Sequence, residues 1–193
     1  MPTGTAMRDA RTQLFDAAER VLLRAGPGAL TSRAVTDEAG CAKGVLHRHF
    51  ADFDSFLAAL VLDRAGALEV QGAVLRGSAG TGTVAGNLAE ALTALFGSVA
   101  VAIVGLVAAR DGLRAKLRET WPTGVPVLAE GTSIVASYLS LERDLGRVAP
   151  GADIEALTLM LIGGGHLLFA GREDVPPDAV HRMVTAALAG AST

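Results

Sequence analysis

The chain has 193 residues, enough for one large domain or for a small domain joined to a medium one. Half of them are hydrophobic but only 4% are aromatic, so the core must be built of Ala, Val and Leu, which favours close-packed helices over an aromatic-rich β-sandwich. A net charge of −3 excludes a global positive field, and any contact with nucleic acid has to come from a local basic surface.

The first predicted helix runs from about Arg8 to Ala25, with Leu14, Ala17, Ala18, Val21, Leu22 and Ala25 on one face, and Gly26-Pro27-Gly28 stops it. A short second helix follows, about Ser32 to Ala39. Thr31 is its N-cap, Leu30 and Val35 form a hydrophobic staple, and Gly40 ends it in the left-handed conformation. A third helix is expected over about Ala42 to Phe50, with Leu46 and Phe50 facing inward together. A longer one runs from about Asp54 to Leu75, capped by Asp52. Six more are expected near Thr83–Phe96, Val99–Ala109, Gly112–Thr120, Val127–Leu145, Asp153–Ala170 and Asp178–Ala189. Their breaks fall at Gly97-Ser98, at 121–124, at Ala149-Pro150-Gly151 and at Val175-Pro176-Pro177. Almost nothing alternates with period two, so the chain reads as all-α.

Ala91 to Ala109 carry no charge and approach the length of a membrane span, but Gly97-Ser98 breaks the run and no Trp or Tyr flanks it. Two buried helices are expected there, and no membrane partner. Cys41 is the single cysteine, so no disulfide forms within the chain, which fits a reducing cytoplasm, and no basic-then-apolar leader opens the sequence.

Helices 2 and 3, joined by a short Gly-containing turn, have the helix-turn-helix layout. From Cys41 to Ala51 there are Lys43, His47, Arg48 and His49 and no acid. Such a surface can neutralise phosphates or reach guanine O6 and N7, or its charges can simply be solvated. Thr31 and Ser32 offer hydroxyl and N–H groups at a helix N-terminus, where phosphate binds readily.

The stretch from Leu14 to Leu60 resembles the TetR family of bacterial regulators. The resemblance lies in Ala17-Ala18, Gly26, Leu30-Thr31, Ala39-Gly40, Lys43-Gly44, Leu46, His49, Phe50 and Leu57, in order and spacing. It implies nine or ten helices: a three-helix DNA-binding domain over 1–53 and a helical ligand-binding and dimerisation domain over 54–193. It also implies that helix 3 enters the major groove, with Gly44 and Val45 among its contacts, and that Arg33 reaches a base or phosphate. Four positions depart from the family pattern. Ala42 stands where Ser is common, Val45 where Thr is usual, His47 where Tyr is usual, and Phe53 where Lys often meets the backbone. Val45 can instead touch a thymine methyl.

Three consecutive glycines, Gly163 to Gly165, weaken a helix by roughly 1 kcal/mol each relative to Ala, so they call for a close helix neighbour, either within the chain or across a dimer. The resemblance implies the dimer, through Val127–Leu145 and Asp153–Ala170, on a pseudo-palindromic operator. The same resemblance implies a small-molecule pocket, and the apolar composition points to an apolar ligand. Phe96, Arg110, Trp121, Tyr138, His166 and Phe169 can stack on or hydrogen-bond a ligand, or serve as core and surface. No nucleophile elbow, phosphate loop, metal-ligand spacing or dinucleotide fingerprint occurs, so neither an enzyme, a metal nor a cofactor is expected. The expected activity is ligand-released transcriptional repression. The alternative is a helical small-molecule-binding or interaction protein that has lost DNA binding.

Overall fold

The computed structural model describes residues 4–170 and 174–189. Ten α-helices and no strand occur among the described residues: α1 Gly4–Ala25, α2 Ser32–Glu38, α3 Gly44–His49, α4 Phe53–Gly77, α5 Val84–Phe96, α6 Ala100–Ala109, α7 Asp111–Arg118, α8 Pro126–Asp144, α9 Ile154–Phe169 and α10 Ala179–Leu188. The all-α expectation holds, with most boundaries within a residue or two. Of the ranges expected to divide at 53/54, residues 1–3, 171–173 and 190–193 lie outside the described residues. Two compact units form, Met1–Asp63 with Ala102–Gly124, and Arg64–Val101 with Val125–Thr193.

In the first unit, α1 lays Leu14, Ala17, Ala18, Val21 and Leu22 into a core completed by Leu30, Val35 and Leu46. Four of the six phenylalanines of the chain join it: Phe15, Phe50 and Phe56 meet pairwise at 5.1–5.9 Å, and Phe53 stacks on Phe56 at 5.6 Å. Low aromatic content overall therefore hides a local concentration. Arg20 and Arg24 both reach the Glu38 carboxylate at 2.8 Å, fastening α1 to the end of α2. Those hydrogen bonds hold the Glu38 carboxyl below the usual carboxylate range.

α2 starts and stops by local chemistry. The Ala34 N–H donates to Thr31 Oγ1 at 3.1 Å, as an N-cap requires. At the other end Gly40 takes φ +64°, the Cys41 N–H donates to the Thr36 carbonyl and the Gly40 N–H to that of Asp37. That pair of bonds is the Schellman closure, and it needs a left-handed residue that glycine supplies without a Cβ clash. α3 is shorter than the expected 42–50. Ala42 has no side-chain acceptor and Lys43 makes no capping bond, so regular helix begins only at Gly44.

In the second unit, α5, α8, α9 and α10 bury Leu88, Leu92, Leu95, Val135, Leu139, Leu157, Leu161, Val180 and Val184. The glycine run on α9 is resolved residue by residue. A Cβ on Gly165 would fall 2.5 Å from the Phe96 ring, and one on Gly164 2.6 Å from Met183 Sδ, whereas one on Gly163 would meet nothing within 4 Å among the described residues. Two of the three glycines thus serve close packing inside the chain, against α5 and α10. Gly165→Ala gains about 1 kcal/mol of helix propensity. It also forces a methyl into the buried Phe96 ring, an overpacking cost at the upper end of roughly 1–3 kcal/mol. The expected net result is a loss of about 2 kcal/mol, read by thermal denaturation as a Tm lower by about 4–8 °C.

No single helix among the described residues is long and apolar enough to cross a membrane. The uncharged stretch 91–109 is divided between α5 and α6 and buries Leu92, Leu95, Phe96, Ile103 and Leu106.

Candidate nucleic-acid interface and ligand cleft

The α2–turn–α3 unit sorts the candidate DNA contacts by exposure. Leu46 and Phe50 turn into the core, which fixes the rotation of α3 and leaves Lys43, Gly44, His47 and Arg48 exposed. Lys43, His47 and Arg48 have no ion-pair or hydrogen-bond partner among the described residues, so the charges of Lys43 and Arg48 and the ring nitrogens of His47 stay free for a partner. Val45 and His49 are half-buried, and the His49 ring lies edge-on to Phe50 at 6.5 Å. On α2, Thr31 and Arg33 are exposed and Ser32 half-buried. Arg33 stands 3.5 Å from Asp37, one helical turn on, in an exposed pair worth at most about 1 kcal/mol, which a phosphate can displace. The Thr36 hydroxyl is buried and donates back to the Ser32 and Arg33 carbonyls, so it is structural.

α4 opens as expected on Asp52, whose Oδ1 accepts the Ser55 N–H at 2.6 Å; that bond holds the carboxyl below its usual range. Phe53 lies between Phe56 and the Arg110 guanidinium, 5.2 Å above its ring, while Arg110 is ion-paired with Asp54. Arg110, a candidate ligand contact, is therefore engaged inside the first unit. Trp121, also in that unit, is half-exposed, just past the end of α7.

The other candidate ligand residues fall in the second unit, in two places. Phe96, His166 and Phe169 cluster where α5 and α9 end, with ring separations of 6.1 and 6.2 Å, and His166 Nδ1 is buried there without a hydrogen-bond partner among the described residues. Tyr138 is fully buried elsewhere. Its hydroxyl donates to Glu142 Oε1 at 2.5 Å and accepts from Asn87 Nδ2 at 2.9 Å. Burial, then the Glu142 contact, pushes that hydroxyl up to about 12, so it remains a donor at neutral pH. Glu142 is itself buried, 3.3 Å from Arg147 and 3.4 Å from the Gly80 N–H, which ties the α4–α5 turn to α8.

A cleft of about 250 Å³ opens between α4 and α5. Val70, Val74 and Leu75 form one wall and Ala91 and Ala94 the other, with Gln71, Ser78, Asn87 and Glu90 as its polar groups. None of the six aromatic and cationic candidates lines it. The sequence does carry a signal for it. Val70 and Val74 lie four apart on the face of α4 that leaves them 72% exposed, a second apolar stripe beyond the one that packs.

Residues 14–60 match the family model described as bacterial regulatory proteins, tetR family. The N-terminal helix-turn-helix is thus of the TetR type. That family is one of transcriptional regulators, not enzymes. No curated protein matches the chain. Solved structures match its fold along nearly the whole length. A TetR-family transcriptional regulator from Mesorhizobium loti is 16% identical with a TM-score of 0.73, covering 100% of both chains. FadR from Bacillus subtilis, solved with stearoyl-CoA, is 19% identical with a TM-score of 0.69, covering 93% of this chain and 98% of its own. SmeT, the repressor of a Stenotrophomonas maltophilia multidrug efflux pump, is 19% identical with a TM-score of 0.61, covering 95% and 90%.

Within this TetR-type domain the four departures acquire local reasons. Ala42 leaves α3 uncapped, and Phe53 exchanges a basic group for a place in the aromatic cluster. His47 keeps an exposed ring where a hydroxyl is usual, and Val45 presents only a half-buried apolar side chain.

Proposed function

We propose that the protein is a ligand-responsive repressor that binds a pseudo-palindromic operator as a homodimer and leaves it when a small molecule fills the α4–α5 cleft. The observation that carries this reading is α3, in a stretch with no acid from Cys41 to Ala51 and with Lys43, His47 and Arg48 exposed and unpaired among the described residues. Residues 1–53 are the DNA-binding part, with Thr31, Ser32, Arg33, Lys43, Gly44, Val45, His47, Arg48 and His49 as its contacts. Residues 54–193 serve ligand binding and dimerisation. The site of action is the cytoplasm, where a chain with Cys41 as its single cysteine needs no disulfide.

Support for the dimer comes from α9. Ala156, Leu159, Met160, Gly163 and Leu167 are exposed at spacings of one helix face, and no neighbour among the described residues stands where a Cβ of Gly163 would. An exposed apolar stripe around a small residue fits a second helix at close range. α8 would supply Leu141, and its C-cap Leu145, to the same bundle, both exposed. Support for a small-molecule effector comes from the apolar cleft and from a neighbour of like fold solved with an acyl-CoA. α4 is one continuous helix whose first turns follow the helix-turn-helix and whose last turns wall the cleft. Ligand shifts the equilibrium to the extent that it binds the DNA-free arrangement more tightly.

The test is selection from random duplex DNA, then titration of the enriched sequence by fluorescence anisotropy at several salt concentrations. A palindrome bound with affinity falling steeply in salt is the expected outcome. A folded dimer that enriches nothing would favour the second reading, a small-molecule-binding protein whose short, uncapped α3 no longer reads DNA.

A further inference from the structure

The α4–α5 cleft carries more information than its apolar walls. We propose that its effector is an amphipathic organic cation, an apolar body bearing a protonated amine or quaternary ammonium group. This rests on the cleft being the effector site of the function proposed above. Glu90 is the charged residue of the lining, and no group among the described residues pairs with it; no Lys or Arg lines the cleft. Two arginines of the same unit are already engaged. Arg76 pairs with Glu69 at 2.5 Å, and Arg147 pairs with Glu142 and donates to the Thr81 and Gly82 carbonyls.

The neutral polar groups point the same way. Ser78 Oγ gives its hydrogen to the Leu75 carbonyl at 2.7 Å, which leaves only an acceptor. Asn87 Nδ2 has two hydrogens, and the Tyr138 hydroxyl, the Thr81 carbonyl and the Ser78 carbonyl all lie within 2.9–3.3 Å of it. What these side chains have left to offer is lone pairs, and Gln71 is the lining group with donors uncommitted. A ligand that brings donors or positive charge finds acceptors and a carboxylate. An anionic head group would find one amide donor and the repulsion of Glu90. The apolar walls from Val70, Val74, Leu75, Ala91 and Ala94 take the hydrophobic body.

Three probes of equal chain length separate charge from hydrophobicity: decyltrimethylammonium, decanol and decanoate, each below its micellar concentration. Binding is measured by calorimetry on the full chain, on Glu90→Gln and on Val74→Trp, which fills the cleft from an exposed position. The cation is expected to bind the wild type about two- to fivefold more tightly than decanol, the size of an exposed ion pair, and decanoate more weakly than decanol. Glu90→Gln should bring the cation to the decanol level and leave decanol unchanged, and Val74→Trp should weaken all three. Equal affinities in the wild type, each reduced by Val74→Trp, would overturn the charge preference while leaving the cleft as effector site. A cation preference that survives Glu90→Gln would also overturn it. No binding, or binding indifferent to Val74→Trp, would remove the cleft from the proposed function and the inference with it. DNA recognition is decided separately by the operator titration.

Discussion

Replacing Lys43 and Arg48 together by Ala is expected to lower operator affinity by roughly 100- to 1000-fold at low salt, the loss of four charge-assisted contacts per dimer at about 1 kcal/mol each. A second readout is independent of that magnitude. Each phosphate neutralised releases condensed counterions and contributes about 0.9 to the slope of log K against log salt. Two charges removed from each of two subunits should therefore flatten the slope by roughly 3–4. The fold should not respond, because both side chains are exposed and neither has a partner among the described residues. A change in thermal stability beyond about 0.5 kcal/mol would mean that the loss of binding is not an interface effect. The single variants divide the two roles. A residue on phosphate weakens all duplexes alike, whereas one on guanine N7 and O6 relaxes preference at one base pair. An unchanged slope in the double variant would remove α3 as the electrostatic footprint. Arg33→Ala should cost less than either, since Arg33 must first leave Asp37.

The parts of this protein that were legible in its sequence are those fixed by local chemistry. Thr31 and Gly40 announce the two ends of α2 because a cap acceptor and a left-handed residue act on their own few neighbours, and both do so in the structure. Leu46 and Phe50 declare the buried side of α3 by spacing alone. What the sequence withheld depends on distant residues. The partners of Gly164 and Gly165 are Met183 and Phe96, and a glycine run states a cost without naming what it accommodates. Arg110 reads as a free cation until Asp54, 56 residues earlier, is brought to it. Side-chain chemistry, read from sequence alone, singles out aromatics as ligand contacts. In a chain this poor in aromatics, Phe96 and Tyr138 are core, while the cleft is walled by valine and alanine. The outward pair Val70 and Val74 was the available clue. It goes unnoticed when one apolar stripe per helix already satisfies the pattern.

Leu159→Glu with Leu167→Glu should convert the dimer to a folded monomer. The two side chains are 70% and 73% exposed within one chain, so replacing them removes little intrachain packing. Helicity should stay and Tm should fall mainly by the contribution of the lost dimer. In a two-fold interface each position counts twice. Burying one leucine is worth about 1.5–3 kcal/mol. The two symmetry copies of even one substitution then account for roughly 3–6 kcal/mol, or about 100- to 10,000-fold in the dimer dissociation constant. The second position and the cost of desolvating carboxylates add to this. Sedimentation across a concentration series reads the result. DNA binding should respond in a way that separates assembly from contact. The monomer retains the exposed cations of α3, so it should still bind a half-site, with about half the salt slope of the dimer. It should lose the effective-concentration advantage that makes the second half-site intramolecular. Lys43→Ala with Arg48→Ala leaves a dimer that cannot grip, and Leu159→Glu with Leu167→Glu leaves a grip that cannot pair. If the leucine variant remained dimeric, the stripe on α9 would not be the subunit interface. Gly163, open on that same face, would then need another explanation.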